Sequence, residues 1–265
     1  SNGNIGWQLV GDVPIRTSGN GTLPHPTAEN WRPERIPIEE LPSRYNPANG
    51  IIASANNKPT HNGKYKHHLG YDWVDGYRIS RIVESLASRS DWGIQDSMDL
   101  QLDKKALPWL EMKEFVIGFR TNDPEAQIAV RMLSKWNGYL DENSPEASIY
   151  EEFLSQLVKS IAVDRAPNSS NWVMGKGFHP LSELTFFAAR RVSHTVKCLR
   201  ERPRQWFASS SWDEQIERAL SNSVKVLKEA YGHDQSKWGW GYTRKLTIPH
   251  FLNAKKPFNR IFNLG

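Results

Sequence analysis

The sequence predicts an α+β fold, with strands first and helices after. Residues 1–74 are rich in Gly, Pro and Asn and carry only short apolar runs, the texture of strands and loops. Over residues 75–265 apolar side chains recur at three- and four-residue intervals, the texture of helices. The two textures do not alternate, which argues against the βαβ repeat of a parallel sheet. At 265 residues, 38% hydrophobic and 24% charged, the chain has a globular composition and length enough for a sizeable core.

Taken in order, Gly3–Gly11 alternates as a strand, and Val13-Pro14-Ile15-Arg16 continues in extended form. Pro24 to Pro47, with prolines also at 26, 33, 37 and 42, predicts a long loop that wraps a surface or lines a site. Tyr45–Pro59, YNPANGIIASANNKP, is the stretch around which the rest is organised. Asn-Pro and Asn-Gly make turns because Pro fixes φ, while Gly and Asn accept positive φ. Between the turns, Ile51–Ala55 predicts a short buried strand ending in the paired amides of Asn56 and Asn57. By residue type these amides have two readings: turn formers that close the strand, or donors to a developing oxyanion.

Helices follow. Ile79, Ile82, Val83 and Leu86 form one apolar face beside Arg78 and Arg81. Asp123-Pro124-Glu125 is a helix start, and Ile128, Ala129, Met132, Leu133 and Trp136 form the stripe behind it, ending at Asn137-Gly138. Ser144-Pro145 opens a helix with apolar pairs at 149/150, 153/154, 157/158 and 161/162. Gly and Asn around 167–177 mark a loop. Ser211-Trp212-Asp213-Glu214 is a capping box, and Ile216, Leu220, Val224 and Leu227 turn its helix inward.

Charge and cysteine usage exclude several functions. The net charge is +5, but basic residues are scattered among 29 acidic ones, so no nucleic-acid partner is expected. No apolar stretch reaches membrane-spanning length, and no signal peptide is present. Cys198, the single cysteine, excludes an internal disulfide and reads as a buried helix residue. His61, His67 and His68 lie in a hydrophilic flank that predicts an exposed loop rather than a metal site, and His179, His194, His233 and His250 read as structural. Asp96, Asp99 and Asp103 read as solvated or hydrogen-bonded helix carboxylates. Nothing after Ser1 resembles a strand presenting it as a nucleophile; Asn2-Gly3-Asn4 is turn chemistry.

Seven blocks, in order, resemble the β-chain of the penicillin acylase family of N-terminal-nucleophile hydrolases. They are GNIGWQLVGDVPIR, the Pro-rich loop with Trp31 and IPIEELP, YNPANGIIASANNKP, WVDGYRISRIVESL, MDLQLD, LSKWNGYLDENSPEASIYEEFL and KWGWGYTRKLTIPHFL. The resemblance implies part of an αββα sandwich plus a mostly helical segment, both belonging to one β-chain domain. It implies hydrolysis of a linear amide through an acyl-enzyme on an N-terminal serine freed by self-cleavage, with no cofactor required for catalysis. The family's oxyanion-hole asparagine matches Asn56 and its orienting arginine matches Arg78; Asn57 and Arg81 are the neighbouring candidates for binding substrate.

Two departures accompany the match. The family serine lies upstream of the GNIG block, so Ser1 does not match it, and the nucleophile, the α-chain and the last β-chain strands are expected on a longer precursor. The aspartate that the family gives to a structural calcium falls at His67, with Asp72 or Asp75 as the substitutes if the loop shifts. The resemblance also implies a periplasmic or secreted protein. The rival expectations are a non-catalytic, ligand-binding relative, and a compact hydrolase in which Ser1 is the true nucleophile beside Asn56.

Overall fold

The computed structural model describes residues 2–19, 21–23, 30–60, 64–179, 182–184 and 191–245. Ser1, His61 and His250 lie outside the described residues, so the Ser1 reading stays an expectation. The chain divides into two compact units, Ser1–Asp103 and Lys104–Gly265.

The first unit is built from antiparallel ribbons. Strand β1 (Gly6–Gln8) pairs with β4 (Ser43–Tyr45), and β2 (Pro14–Arg16) pairs with β3 (Trp31–Arg35). The register sets Trp7 opposite Arg44 and Arg16 opposite Trp31, where the Arg16 guanidinium lies 3.9 Å over the indole. The Pro-rich segment is therefore not one long loop. It supplies β3, β4 and a 3-10 turn at Ile38–Glu40. Pro33 is tolerated within β3 because a two-stranded ribbon has an open edge for a residue with no N–H.

Ile51–Ala55 forms no strand and bends at Ala55, contrary to expectation. A strand needs a neighbouring backbone to share its hydrogen bonds, and no described segment pairs with this one. Helix α1 (Tyr77–Ala87) and α2 (Ile94–Gln101) complete the unit, and neither buries a residue. Ile36, Leu41 and Ala55 are the buried apolar residues among those described here.

The second unit contains α3 (Leu107–Ile117), α4 (Pro124–Leu133), α5 (Pro145–Arg165), α6 (Ser170–Val173), a β5–β6 ribbon (Lys176–His179 and Ser182–Leu184), α7 (Val192–Glu201), α8 (Trp212–Tyr231) and α9 (Trp240–Thr243). The expected starts form. Asp123 accepts from the Ala126 N–H at 2.8 Å, Ser144 from Ala147 at 3.2 Å, and Ser211 and Glu214 form the reciprocal box. Helix α8 packs on both α4 and α5, with Ile216, Leu220 and Val224 fully buried. Trp109, Trp136 and Tyr150 form an aromatic cluster with ring centroids 4.9–5.9 Å apart. Two glycines at the end of this unit are required by space. A Cβ on Gly239 would lie 2.9 Å from the Glu142 carbonyl oxygen, and one on Gly241 would lie 2.8 Å from the Glu142 Cβ.

Candidate functional site

Asn56 is the centre of the site, and its backbone makes it so. Its φ is +60°, a left-handed conformation in which Asn is one of the few tolerated side chains. The Val74 N–H donates to the Asn56 carbonyl at 3.1 Å, which fixes the turn against the segment leading into α1. One helical turn later, Arg78 Nη1 donates to Asn56 Oδ1 at 3.1 Å. With Oδ1 accepting from the guanidinium, the two N–H donors of Nδ2 are left for another acceptor. Asn56 and Arg78 are both exposed.

Asn57 points elsewhere. Its Oδ1 accepts from the Ala55 N–H at 3.1 Å and its Nδ2 donates to the Lys58 carbonyl at 3.0 Å, the bonding of a turn former. Asn57 also helps to line a cavity of about 240 Å3, whose apolar wall is Ile51, Ala53, Ile79 and Val83. Asn56 is not among its lining residues, because the positive φ sends the two amides to different sides. The paired amides that close Ile51–Ala55 therefore do not share this cavity.

Arg81 is engaged by a carboxylate. Its Nε donates to both oxygens of Asp103 at 3.0 Å, and its Nη2 donates to Oδ2 at 2.7 Å. Hydrogen bonding to Asp103 strengthens its hold on the proton. The other two carboxylates of this segment are structural as well. Asp96 accepts from the Gly93 N–H at 2.8 Å and from Arg89 at 2.6 Å, and Asp99 accepts from Gln95 at 2.9 Å. The sequence left these residues as solvated or hydrogen-bonded helix carboxylates and could not reveal that Asp103, just beyond α2, meets a partner 22 positions earlier. The only trace of it in the sequence is the ordered pairing of the WVDGYRISRIVESL and MDLQLD blocks.

At the position where calcium would take an aspartate, His67 Nε2 lies 2.6 Å from Glu40 Oε2, and Lys66 Nζ donates to Oε1 at 2.8 Å. The Lys66 and then the His67 hydrogen bonds hold the Glu40 carboxyl below its ordinary range. This donor set does not fit a hard, oxygen-seeking cation: an imidazole stands where a carboxylate is needed, and the Glu40 carboxylate that meets it already carries a lysine. Among the described residues no group of three or more His, Cys, Asp or Glu is placed to hold a metal. His67 is partly buried against Glu40, so the expected exposed loop is corrected there; the aromatic edge of Tyr65 and the Glu40 carboxylate cover the ring. Cys198 is buried in α7 as expected, and burial pushes its thiol up, away from the thiolate a nucleophile needs. No helix of the described residues is long and apolar enough to cross a membrane.

Comparison with known proteins agrees with this frame. The penicillin amidase family model matches residues 1–265. Penicillin acylase 2 proenzyme of Pseudomonas sp. (strain SE83) is 25% identical over 96% of this chain and 32% of its own length. Penicillin G acylase of Escherichia coli is 26% identical, covering 89% and 31%. The acyl-homoserine lactone acylase QuiP of Pseudomonas fluorescens (strain Pf0-1) is 26% identical, covering 90% and 31%. The chain thus spans about a third of the length of these relatives. The solved thermostable penicillin G acylase from Alcaligenes faecalis shares the fold, with a TM-score of 0.66 at 18% identity over 89% of this chain and 46% of that one. With an α+β architecture like that of a solved acylase and a family match over every residue, the chain belongs to the penicillin amidase family.

Proposed function

We propose that this chain is part of an amide hydrolase that cleaves a linear, non-peptide amide of the penicillin or N-acyl-homoserine-lactone type through an acyl-enzyme. The observation that carries the reading is the Arg78–Asn56 hydrogen bond, which engages Oδ1 and leaves the Nδ2 donors of Asn56 for a developing oxyanion. In this mechanism the hydroxyl oxygen of an N-terminal serine, on a part of the parent outside these 265 residues, attacks the amide carbonyl. The serine's own α-amine takes the hydroxyl proton. Asn56 Nδ2 donates to the oxygen as it becomes negative, and Arg78 holds the amide in that orientation. Collapse breaks the C–N bond and the amine leaves with the proton. Water then attacks the ester carbon, releasing a carboxylic acid and restoring the serine.

No cofactor enters these steps, and the Glu40–Lys66–His67 cluster supports a loop held by ion pairs rather than by calcium. Asn56 is exposed, so the walls that exclude water belong to other parts of the parent. Val10, Leu23, Ile38 and Tyr45 also stand in water on the first unit, which supports a covering α-chain and further β-chain strands. A periplasmic or secreted location goes with this reading, and cell fractionation checks it.

The test is a panel of penicillins, acyl-homoserine lactones and simple acyl amides given to the full-length, self-cleaved protein, with amine release as the readout. Turnover of at least one linear amide is expected. A correctly cleaved protein that binds these compounds and releases no amine would overturn the hydrolase reading in favour of a ligand-binding relative.

A further inference from the structure

The geometry points to Asp103 and Arg81 as a positioning pair that acts through Arg78. This inference rests on the reading of Asn56 and Arg78 given above and extends it. Arg78 and Arg81 stand three residues apart on α1, hence on neighbouring positions of one helix face. Both guanidiniums sit in the first turns of a helix, where the dipole is unfavourable to positive charge. Helix α1 has no buried residue, and Ile79 and Val83 face the 240 Å3 cavity rather than a packed core. Apolar packing therefore does not fix the rotation of α1 about its axis. Polar ties must do so, and the strongest is the fork of Arg81 on Asp103, with three donor contacts of 2.7–3.0 Å between side chains only 22% and 17% exposed.

Two consequences follow for Arg78. The Asp103 anchor sets the rotation of the helix at which Arg78 Nη1 reaches Asn56 Oδ1. The same anchor, together with Glu84 whose Oε2 lies 3.2 Å from Arg81 Nη1, holds the Arg81 guanidinium aside, so that it neither repels Arg78 nor competes for Asn56 Oδ1. Without Asp103, both errors would misplace the amide by a fraction of an ångström to an ångström, the scale at which turnover suffers.

A double-substitution cycle in the full-length, self-cleaved protein tests this. Asp103→Ala is expected to lower kcat on the order of tenfold with KM for the amide little changed. In an Arg78→Ala background the same substitution is expected to cost no further kcat, because the residue it serves is already gone. Arg81→Lys, which keeps a charge opposite Asp103 but not the fork, is run in the same cycle in case Asp103→Ala fails to fold, and the same pattern is expected of it. Unchanged kcat in Asp103→Ala and Arg81→Lys, or an equal loss with and without Arg78, would overturn the positioning role while leaving Arg78 in place. Normal kcat in Arg78→Ala alone would remove the underlying reading and this inference with it.

Discussion

A side-chain amide can be aimed only if both its backbone and its oxygen are held, and Asn56 has both constraints. Its left-handed φ costs roughly 1–2 kcal/mol for an ordinary L-residue, less for Asn, and strain of this kind gathers at functional sites. Asn56→Asp separates the two halves of the proposed role. The carboxylate would keep the Arg78 contact and strengthen it by charge, so thermal stability should hold or rise. The N–H donor would be gone and a negative charge would stand where the oxyanion forms, so amide turnover should fall at least as far as in Asn56→Ala. Turnover in Asn56→Asp close to normal would mean that Nδ2 does not donate. Arg78→Ala should reduce kcat more than Arg81→Ala, since Arg78 touches Asn56 and the Arg81–Asp103 pair acts only through Arg78; the reverse order in steady-state kinetics would contradict the assignment. At this scale much was legible in the sequence. The resemblance to the acylase family implied Asn56 and Arg78 as partners, which residue type alone left open, whereas the different bonding of Asn56 and Asn57 goes with one positive φ, which residue type permits without dictating.

Helices α4, α5 and α8 formed where caps and periodicity placed them, because each signal is local. Asp123 is the clearest case. Burial raises its carboxyl, but the Ala126 N–H and the charge of Lys225 more than offset this and hold it below the ordinary value. Such a group stabilises above its unfolded pKa, and that stability is lost as pH falls through the lowered folded pKa. Asp123→Ala should therefore cost about 1 kcal/mol in urea unfolding at neutral pH and progressively less in acid. A cost that does not vary with pH would show that the charged cap is not the source. Gly241→Ala should destabilise by about 1–3 kcal/mol, since its Cβ would sit 2.8 Å from the Glu142 Cβ with backbone behind it; an unchanged unfolding midpoint would mean that the segment shifts freely. Strands were less legible for a physical reason. Ile51–Ala55 has the composition of a strand, but a ladder depends on a partner supplied by distant or separate chain, which local pattern does not encode.

On the scale of the whole molecule, the two units differ in how much they bury. The first keeps Ile36, Leu41 and Ala55 from water but leaves Val10 at 71% and Leu23 at 78% exposure, whereas the second buries a continuous core that includes Trp109, Phe153, Leu220 and Trp238. Hydrogen exchange on this chain by itself should show strong protection in α5 and α8 and fast exchange over residues 2–60, and uniform protection would contradict the inference that the first unit needs cover from the parent. The composition revealed a strand- and loop-rich first part and a mainly helical remainder. It could not reveal this contrast, because apolar content does not say which apolar side chains the fold buries. The account depends above all on the Asn56 amide, and the most direct measurement is kcat for amine release by the full-length, self-cleaved protein and its Asn56→Ala variant. A loss on the order of a hundredfold or more, with the unfolding temperature unchanged, is the predicted result. Turnover within a few-fold of the parent protein would contradict it.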